Sequence, residues 1–163
     1  MNRTFIRTFS NSILPALLLV TSVGASEALH KSETRGNRIV GVWEAEIAVL
    51  DCSSGVQVAG FKGLHKFEAG GTAQVVPATN PAGLSAHAGV WRHLRKNLYR
   101  LEFKAFRFDP SGANLGWIVA KNDIVINDDG TAYVGSGQAD VFDSGGTAVG
   151  KSCPTFTATR FGK

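Results

Sequence analysis

The segment HAGVWRH carries the side chains best suited to chemistry, at alternate positions His87, Trp91 and His93. In an extended strand this spacing puts all three on one face. Histidine has an ordinary pKa near neutrality, so it suits general base catalysis or hydrogen bonding to a ligand. The His-x5-His spacing is not typical of metal sites, and no acidic residue lies close by in sequence. We therefore expect no metal site here.

A second group of candidates is aromatic. In LYRLEFKAFRF the residues Tyr99, Leu101, Phe103 and Ala105 alternate with charged residues, which predicts an apolar face. Phe106 and Phe108 break this alternation and predict a bulge or a bent strand end over a barrel mouth. The candidate ligand-binding set is Trp91, His93, Tyr99, Phe103, Phe106 and Tyr133. If the protein is an enzyme, His93, Tyr99 and Tyr133 are the candidate catalytic residues. The same aromatic side chains could instead simply fill the interior.

Glu44 and Glu46 form a carboxylate pair of the kind used in acid–base catalysis. Alternation with Trp43 sends both carboxylates to the outer face if the indole points inward. This pattern favours a solvated strand face over a catalytic pair.

The ends of the sequence predict an exported protein. Arg3, Arg7, the apolar run ILPALLLV and the small residues VGA before Ser26 are typical of a signal peptide over residues 1–25. The apolar run is shorter than the roughly 20 residues that span a bilayer, so no membrane span is expected after cleavage. Residues 26–37 predict a flexible lead-in, and 38–163 a single domain. The predicted location is secreted or periplasmic.

Charge argues against some partners. Without Arg3 and Arg7 the formal net charge of +4 falls to +2, which is too small and scattered to predict nucleic-acid binding. The basic cluster RHLRK falls at a predicted turn and is typical of a solvated hairpin end. We expect no cofactor, and a small hydrophobic molecule as the partner.

Turn signals divide the domain into eight short segments. Clusters rich in Gly, Pro, Asn and Asp separate apolar runs, and no run has a sustained helical period. The predicted strands cover residues 39–51, 56–67, 72–78, 87–94, 98–108, 115–126, 131–142 and 147–161. Connections this short allow only antiparallel neighbours. Closure removes exposed strand edges, so we predict an up-and-down β-barrel, with a β-sandwich as the alternative.

Alternation within these strands predicts what faces the interior. In the sixth strand Ile118, Ala120, Asn122, Ile124 and Ile126 share the predicted core face. In the seventh, Gly135 and Gly137 share a face with Tyr133. Such small residues predict free space inside the barrel.

The two cysteines, Cys52 and Cys153, fall in the first and last strands and predict one disulfide in an exported chain. If they lie opposite each other, Arg160 lies opposite Ala45 and diagonal to Trp43. Parity then puts the cysteines on the outer face and Trp43 with Arg160 on the inner face. We therefore predict a guanidinium stacked over the indole at one end of the barrel, a contact that stabilises by about 0.5–2 kcal/mol.

These residues resemble those of the lipocalins and the wider calycin superfamily. The hallmark is Gly-x-Trp on the first strand, here Gly41-Val42-Trp43, with an arginine at the end of the last strand, here Arg160. The resemblance implies a lipocalin-like barrel whose interior holds a small molecule.

Three functions follow as hypotheses. The favoured one is a secreted or periplasmic barrel that binds a small apolar or amphipathic ligand without chemistry. The second is an enzyme, a cyclase or isomerase of the allene oxide cyclase type, which holds a flexible substrate in one reactive shape. The third is a structural or inhibitor-like envelope protein that acts through its surface, with ATNPAGLSA as the expected contact region.

Overall fold

The computed structural model describes residues 37–162, so the predicted signal peptide and nearly all of the lead-in lie outside the described residues. A short 3₁₀ turn, Asn37–Ile39, precedes eight strands, each of which begins and ends within two residues of its predicted bounds. The strands are β1 Gly41–Leu50, β2 Gln57–Phe67, β3 Thr72–Pro77, β4 His87–Arg95, β5 Leu98–Phe108, β6 Asn114–Ile126, β7 Ala132–Phe142 and β8 Ala148–Arg160.

The strands form a closed antiparallel barrel in the order β1 to β8, with β8 paired to β1. The prediction of an up-and-down barrel is confirmed, and the β-sandwich alternative is excluded. Every strand pairs with its chain neighbour because the connections are short, and closure leaves no strand edge exposed. In the described region no helix is long and apolar enough to cross a membrane.

One end of the barrel is plugged by Trp43, Ile39 and Arg160. The Trp43 indole is fully buried and donates its Nε1–H to the carbonyl oxygen of Ile39 at 2.8 Å. The guanidinium carbon of Arg160 lies 4.1 Å from the centre of the indole ring. A Cβ on Gly41, where φ is +135°, would lie 2.6 Å from Arg160 Nη1. Glycine is therefore required two residues before the tryptophan because of both backbone conformation and space.

The register between β1 and β8 differs from the prediction by two residues. Arg160 lies directly opposite Trp43, and Cys153 lies opposite Leu50, whereas Cys52 lies beyond the end of β1. The predicted pairing of Arg160 with Ala45 is wrong. A shift of two residues keeps each side chain on its face, so the inner and outer assignments survive.

The predicted disulfide is present between Cys52 and Cys153, whose Cα atoms are 5.1 Å apart. It ties the turn that follows β1 to β8, across the seam where the sheet closes. Among residues 37–162 there is no free cysteine.

The other two interior predictions need correction. The predicted bulge is present at the end of β5, as a register shift between Arg107 and Phe108, but Phe106 precedes it and lies on the outer face with 44% of its surface exposed. The glycines of β7 do not leave free space. A Cβ on Gly135 would lie 2.1 Å from the Phe156 ring, and one on Gly137 would lie 2.5 Å from Asn122 Oδ1. Gly135 thus accommodates the Phe156 ring, and Gly137 allows close approach of the β6 backbone, since its Cβ would lie 2.0 Å from the Lys121 carbonyl oxygen.

Candidate ligand-binding cavity

The barrel encloses a cavity of about 570 Å³ at the end opposite the Trp43 plug. All eight strands contribute to its wall, together with Gly83 and Leu84 of the β3–β4 connection. Most of the wall is apolar, including Ile47, Phe61, Phe103 and Phe156. The volume lies within the range of roughly 300–1,000 Å³ found for small-molecule sites. We call this space the interior cavity.

His65 is a buried polar residue of the cavity wall, with 3% of its surface exposed. Its Nδ1 atom shares a hydrogen bond with the hydroxyl of Tyr133 at 2.6 Å. Burial, together with the neighbouring His87, lowers the pKa of His65 to about 4. Burial also raises the pKa of the Tyr133 phenol well above its ordinary value. At neutral pH both groups are therefore uncharged.

His87 lies two strands away from His65, because both residues are paired with Val75 of the intervening strand. Its ring stacks on Phe103, with centroids 4.7 Å apart and planes 20° from parallel. Neither ring nitrogen has a hydrogen-bond partner among the described residues, although the side chain is buried. Burial lowers the pKa of His87 to about 4. The neutral imidazole thus offers one donor and one acceptor to the cavity.

Asn122 is the third buried polar residue of the wall, with 1% of its surface exposed. It lies opposite Leu101 of β5 and Gly137 of β7. The absent Cβ of Gly137 leaves the space in which the amide fits. Neither amide atom has a hydrogen-bond partner in the described part of the chain. A buried polar group without a partner costs about 1–3 kcal/mol, so such groups indicate a site for a polar molecule.

Arg107 brings positive charge to the cavity. It is the residue of the wall that is charged at neutral pH, since the described lining contains no Lys, Asp or Glu and both lining histidines are neutral. A bridge to Leu84 pairs its backbone with the β3–β4 connection. No ion pair of Arg107 is present among residues 37–162. Arg107 as a whole is half-buried and lies near the end of β5, at the mouth of the cavity.

The candidate residues from the sequence fall in three places. Phe103 lines the interior cavity, whereas Tyr133 packs on Trp43 at the plugged end, with ring centroids 4.8 Å apart, and reaches the cavity wall through its hydrogen bond to His65. Trp91, His93 and Tyr99 cluster towards the plugged end, where Trp91 donates to the carbonyl of Glu68 and His93 bonds the carbonyl of Lys96. Phe106 lies outside, with the ammonium of Lys104 5.4 Å from its ring centre.

Sequence reasoning did not single out His65, Asn122 and Arg107 as candidate site residues. Asn122 was correctly assigned to the core face, but a buried amide was not recognised as a binding group. His65 alternates with Phe61 and Phe67 on the inward face of β2, and this phase was the available signal. For Arg107 the signal was the alternation of β5, which continues one step beyond the predicted break.

A second depression, of about 840 Å³, lies on the outer wall of the barrel. It is bordered by outward side chains that are exposed, including Leu64, Val76, Val125 and Val134. The region predicted as a surface contact, residues 78–86, instead folds over the cavity mouth. There the Phe108 amide donates to the Gly83 carbonyl, and the Ser85 amide donates to the Phe106 carbonyl. None of the large apolar side chains exposed in the described region belongs to this segment.

Metal ligands do not cluster in the structure. Across residues 37–162 there is no group of three or more His, Cys, Asp or Glu side chains that could hold a metal ion. No protein-family model matches this sequence, and no curated protein matches it either.

Proposed function

We propose that this protein binds one small amphipathic molecule inside its barrel and performs no chemistry on it. The observation that carries the proposal is the interior cavity of about 570 Å³, whose largely apolar wall is interrupted by the buried side chains of His65, His87 and Asn122. Apolar surface provides most of the binding free energy in such sites, and a few fixed polar groups orient the ligand. A molecule with an apolar body and one or more polar groups fits this wall.

The fold supports a lipocalin-like assignment as part of the proposal. The closed eight-stranded barrel is compatible with that fold, and Gly41, Trp43 and Arg160 meet at its plugged end. Export belongs to the proposal as well. A disulfide that closes the barrel seam is typical of oxidising compartments, and the first 25 residues resemble a signal peptide. Sequencing the N-terminus of the mature protein is expected to give Ser26.

The lining of the interior cavity gives no support to the enzyme hypothesis. His93, Tyr99 and Tyr133 were its candidate residues, and none of their side chains is part of the interior cavity wall. The surface-acting hypothesis lacks the apolar patch that was expected over residues 78–86. Ligand binding is the function that the arrangement favours.

Titration with a neutral fluorescent probe, N-phenyl-1-naphthylamine, tests the proposal. We expect saturable enhancement of fluorescence at one site per chain. Ala139→Phe fills the interior cavity from β7 and should abolish the signal, because Ala139 is buried in its wall. Val134→Phe is the matched control, since Val134 lies on the outer face of the same strand. Equal probe binding by the Ala139→Phe and Val134→Phe variants would exclude the interior cavity as the site.

A further inference from the structure

The charged residue and the buried amide of the interior cavity wall lie at different depths along the barrel. Arg107 lies near the mouth on β5, and Asn122 pairs with Leu101, which lies six residues earlier on the same strand. At a rise of about 3.3 Å per residue, this separation corresponds to roughly 20 Å along the strand. Between the two levels the wall consists of the apolar side chains of Phe103 and Ile118 together with the His87 ring, which stacks on Phe103. A ligand that contacts both Arg107 and Asn122 must therefore be elongated.

The two levels differ in charge as well as in position. Asn122 and His87 present neutral donors and acceptors, because an amide carries no charge and burial lowers the pKa of His87 to about 4. Arg107 presents a permanent cation with five N–H donors, and no acidic side chain faces it in the described lining. An ionised head group deep in the cavity would have no cation to compensate its desolvation, whereas the same group at the mouth would meet the guanidinium.

We propose that the ligand is an elongated amphiphile with an anionic head group bound by Arg107 and a hydroxyl or carbonyl group, further along its apolar body, bound by Asn122. The inference rests on the proposed function and specifies its ligand class. The unpartnered amide atoms of Asn122 and ring nitrogens of His87 explain why an apolar chain alone is a poor fit. Such a chain would leave these polar atoms buried without hydrogen bonds.

Displacement of N-phenyl-1-naphthylamine by three compounds of equal chain length tests the inference: dodecan-1-ol, dodecanoic acid and 12-hydroxydodecanoic acid. We expect the acid to bind about tenfold more tightly than the alcohol, as a charge-assisted hydrogen bond predicts. The terminal hydroxyl should add roughly a further threefold. Dodecyl phosphate serves as a second anion, and a preference for it over the alcohol supports the same head-group site.

Two variants assign these preferences to residues. Arg107→Gln should remove the preference for acid over alcohol, while Arg92→Gln, which removes an exposed cation from the outer face, should retain it. Asn122→Leu should reverse the preference for 12-hydroxydodecanoic acid over dodecanoic acid, because the terminal hydroxyl would then be buried without a partner. Retained binding of the neutral probe shows that each variant is folded with an intact cavity.

The two possible failures are distinguishable. If the neutral probe binds but the alcohol, acid and hydroxy acid displace it equally, the ligand class is wrong and the proposed binding function stands. If the wild-type protein binds neither the probe nor any of the three compounds, the proposed binding function and the ligand class are both overturned. Acid preference that survives Arg107→Gln would overturn the assignment of the head-group site.

Discussion

Arg160 and Trp43 face each other across the seam at which the barrel closes. The guanidinium covers the indole at 4.1 Å and donates to three carbonyl oxygens, those of Arg38, Val40 and Gly130. One side chain thus connects the last strand to the segment that enters the first strand and to the β6–β7 turn. The contact both stabilises the seam and closes one end of the barrel.

Replacing Arg160 should therefore destabilise the fold. We expect Arg160→Met to lower the free energy of unfolding by about 3 kcal/mol, because three carbonyl oxygens lose a charged donor and the indole loses its cation. Urea denaturation followed by tryptophan fluorescence measures the change. Arg92→Met is the control, as Arg92 is exposed and its contact with Glu102 is long at 3.7 Å. Equal effects of the two substitutions would contradict a special role for Arg160.

Opening the disulfide should cost stability without changing the fold. Cys52 and Cys153 close a loop with a sequence separation of 101, for which chain entropy predicts up to about 4.7 kcal/mol. We expect the double variant Cys52→Ser with Cys153→Ser to unfold at a clearly lower urea concentration than the oxidised protein. The reduced wild-type protein should match it. Unchanged stability on reduction would show that the barrel seam does not depend on this bond.

Gly135 should be intolerant of any side chain. A Cβ there would overlap the Phe156 ring, so we expect Gly135→Ala to destabilise the protein by about 1–3 kcal/mol. Gly150→Ala in β8 is the matched control, because the nearest atom to its Cβ would be the Val141 Cβ at 4.0 Å. The comparison uses thermal denaturation of both variants. A destabilised Gly150→Ala protein with an unaffected Gly135→Ala protein would contradict the packing described here.

Stability should fall in the pH window between about 6.5 and 4. Burial lowers the pKa of both His65 and His87 from 6.5 to about 4, so within this window the unfolded chain binds protons that the folded protein excludes. The free energy of unfolding therefore decreases as pH falls, by up to about 3 kcal/mol per histidine. Asp51, whose pKa is lowered to about 2 by hydrogen bonds from Ser53 and Ser54, acts in a more acidic window. Urea denaturation at a series of pH values measures the slope.

Replacing His87 should stabilise the fold at neutral pH and weaken the pH dependence of that stability. At pH 7 we expect His87→Phe to raise the free energy of unfolding by about 1 kcal/mol, because two unpartnered buried nitrogens are removed and an aromatic ring still stacks on Phe103. The pH slope between 6.5 and 4 should fall to about half, since His65 alone then contributes. A strongly destabilised variant with an unchanged slope would show that His87 is bonded within the fold.

The amino-acid sequence by itself determined the strands, their antiparallel pairing with chain neighbours and most of their inward positions. Turn residues mark the breaks, and period-two alternation places Trp43 and Asn122 inside, since successive side chains of a strand point to opposite faces. Short connections then leave antiparallel neighbours as the available pairing. These are local properties of the chain, and the structure confirms them.

Only the tertiary structure decided how deep each inward side chain lies and what it touches. Alternation identifies a face but not a level along the barrel, which depends on strand stagger, tilt and cross-strand packing. Thus His93 and Tyr99, predicted as site residues, lie near the plug, whereas Arg107 lies at the mouth. The Phe156 ring covers Gly135, so the space expected there is filled. The interior cavity arises where side chains from all eight strands fail to meet, and no single strand specifies that.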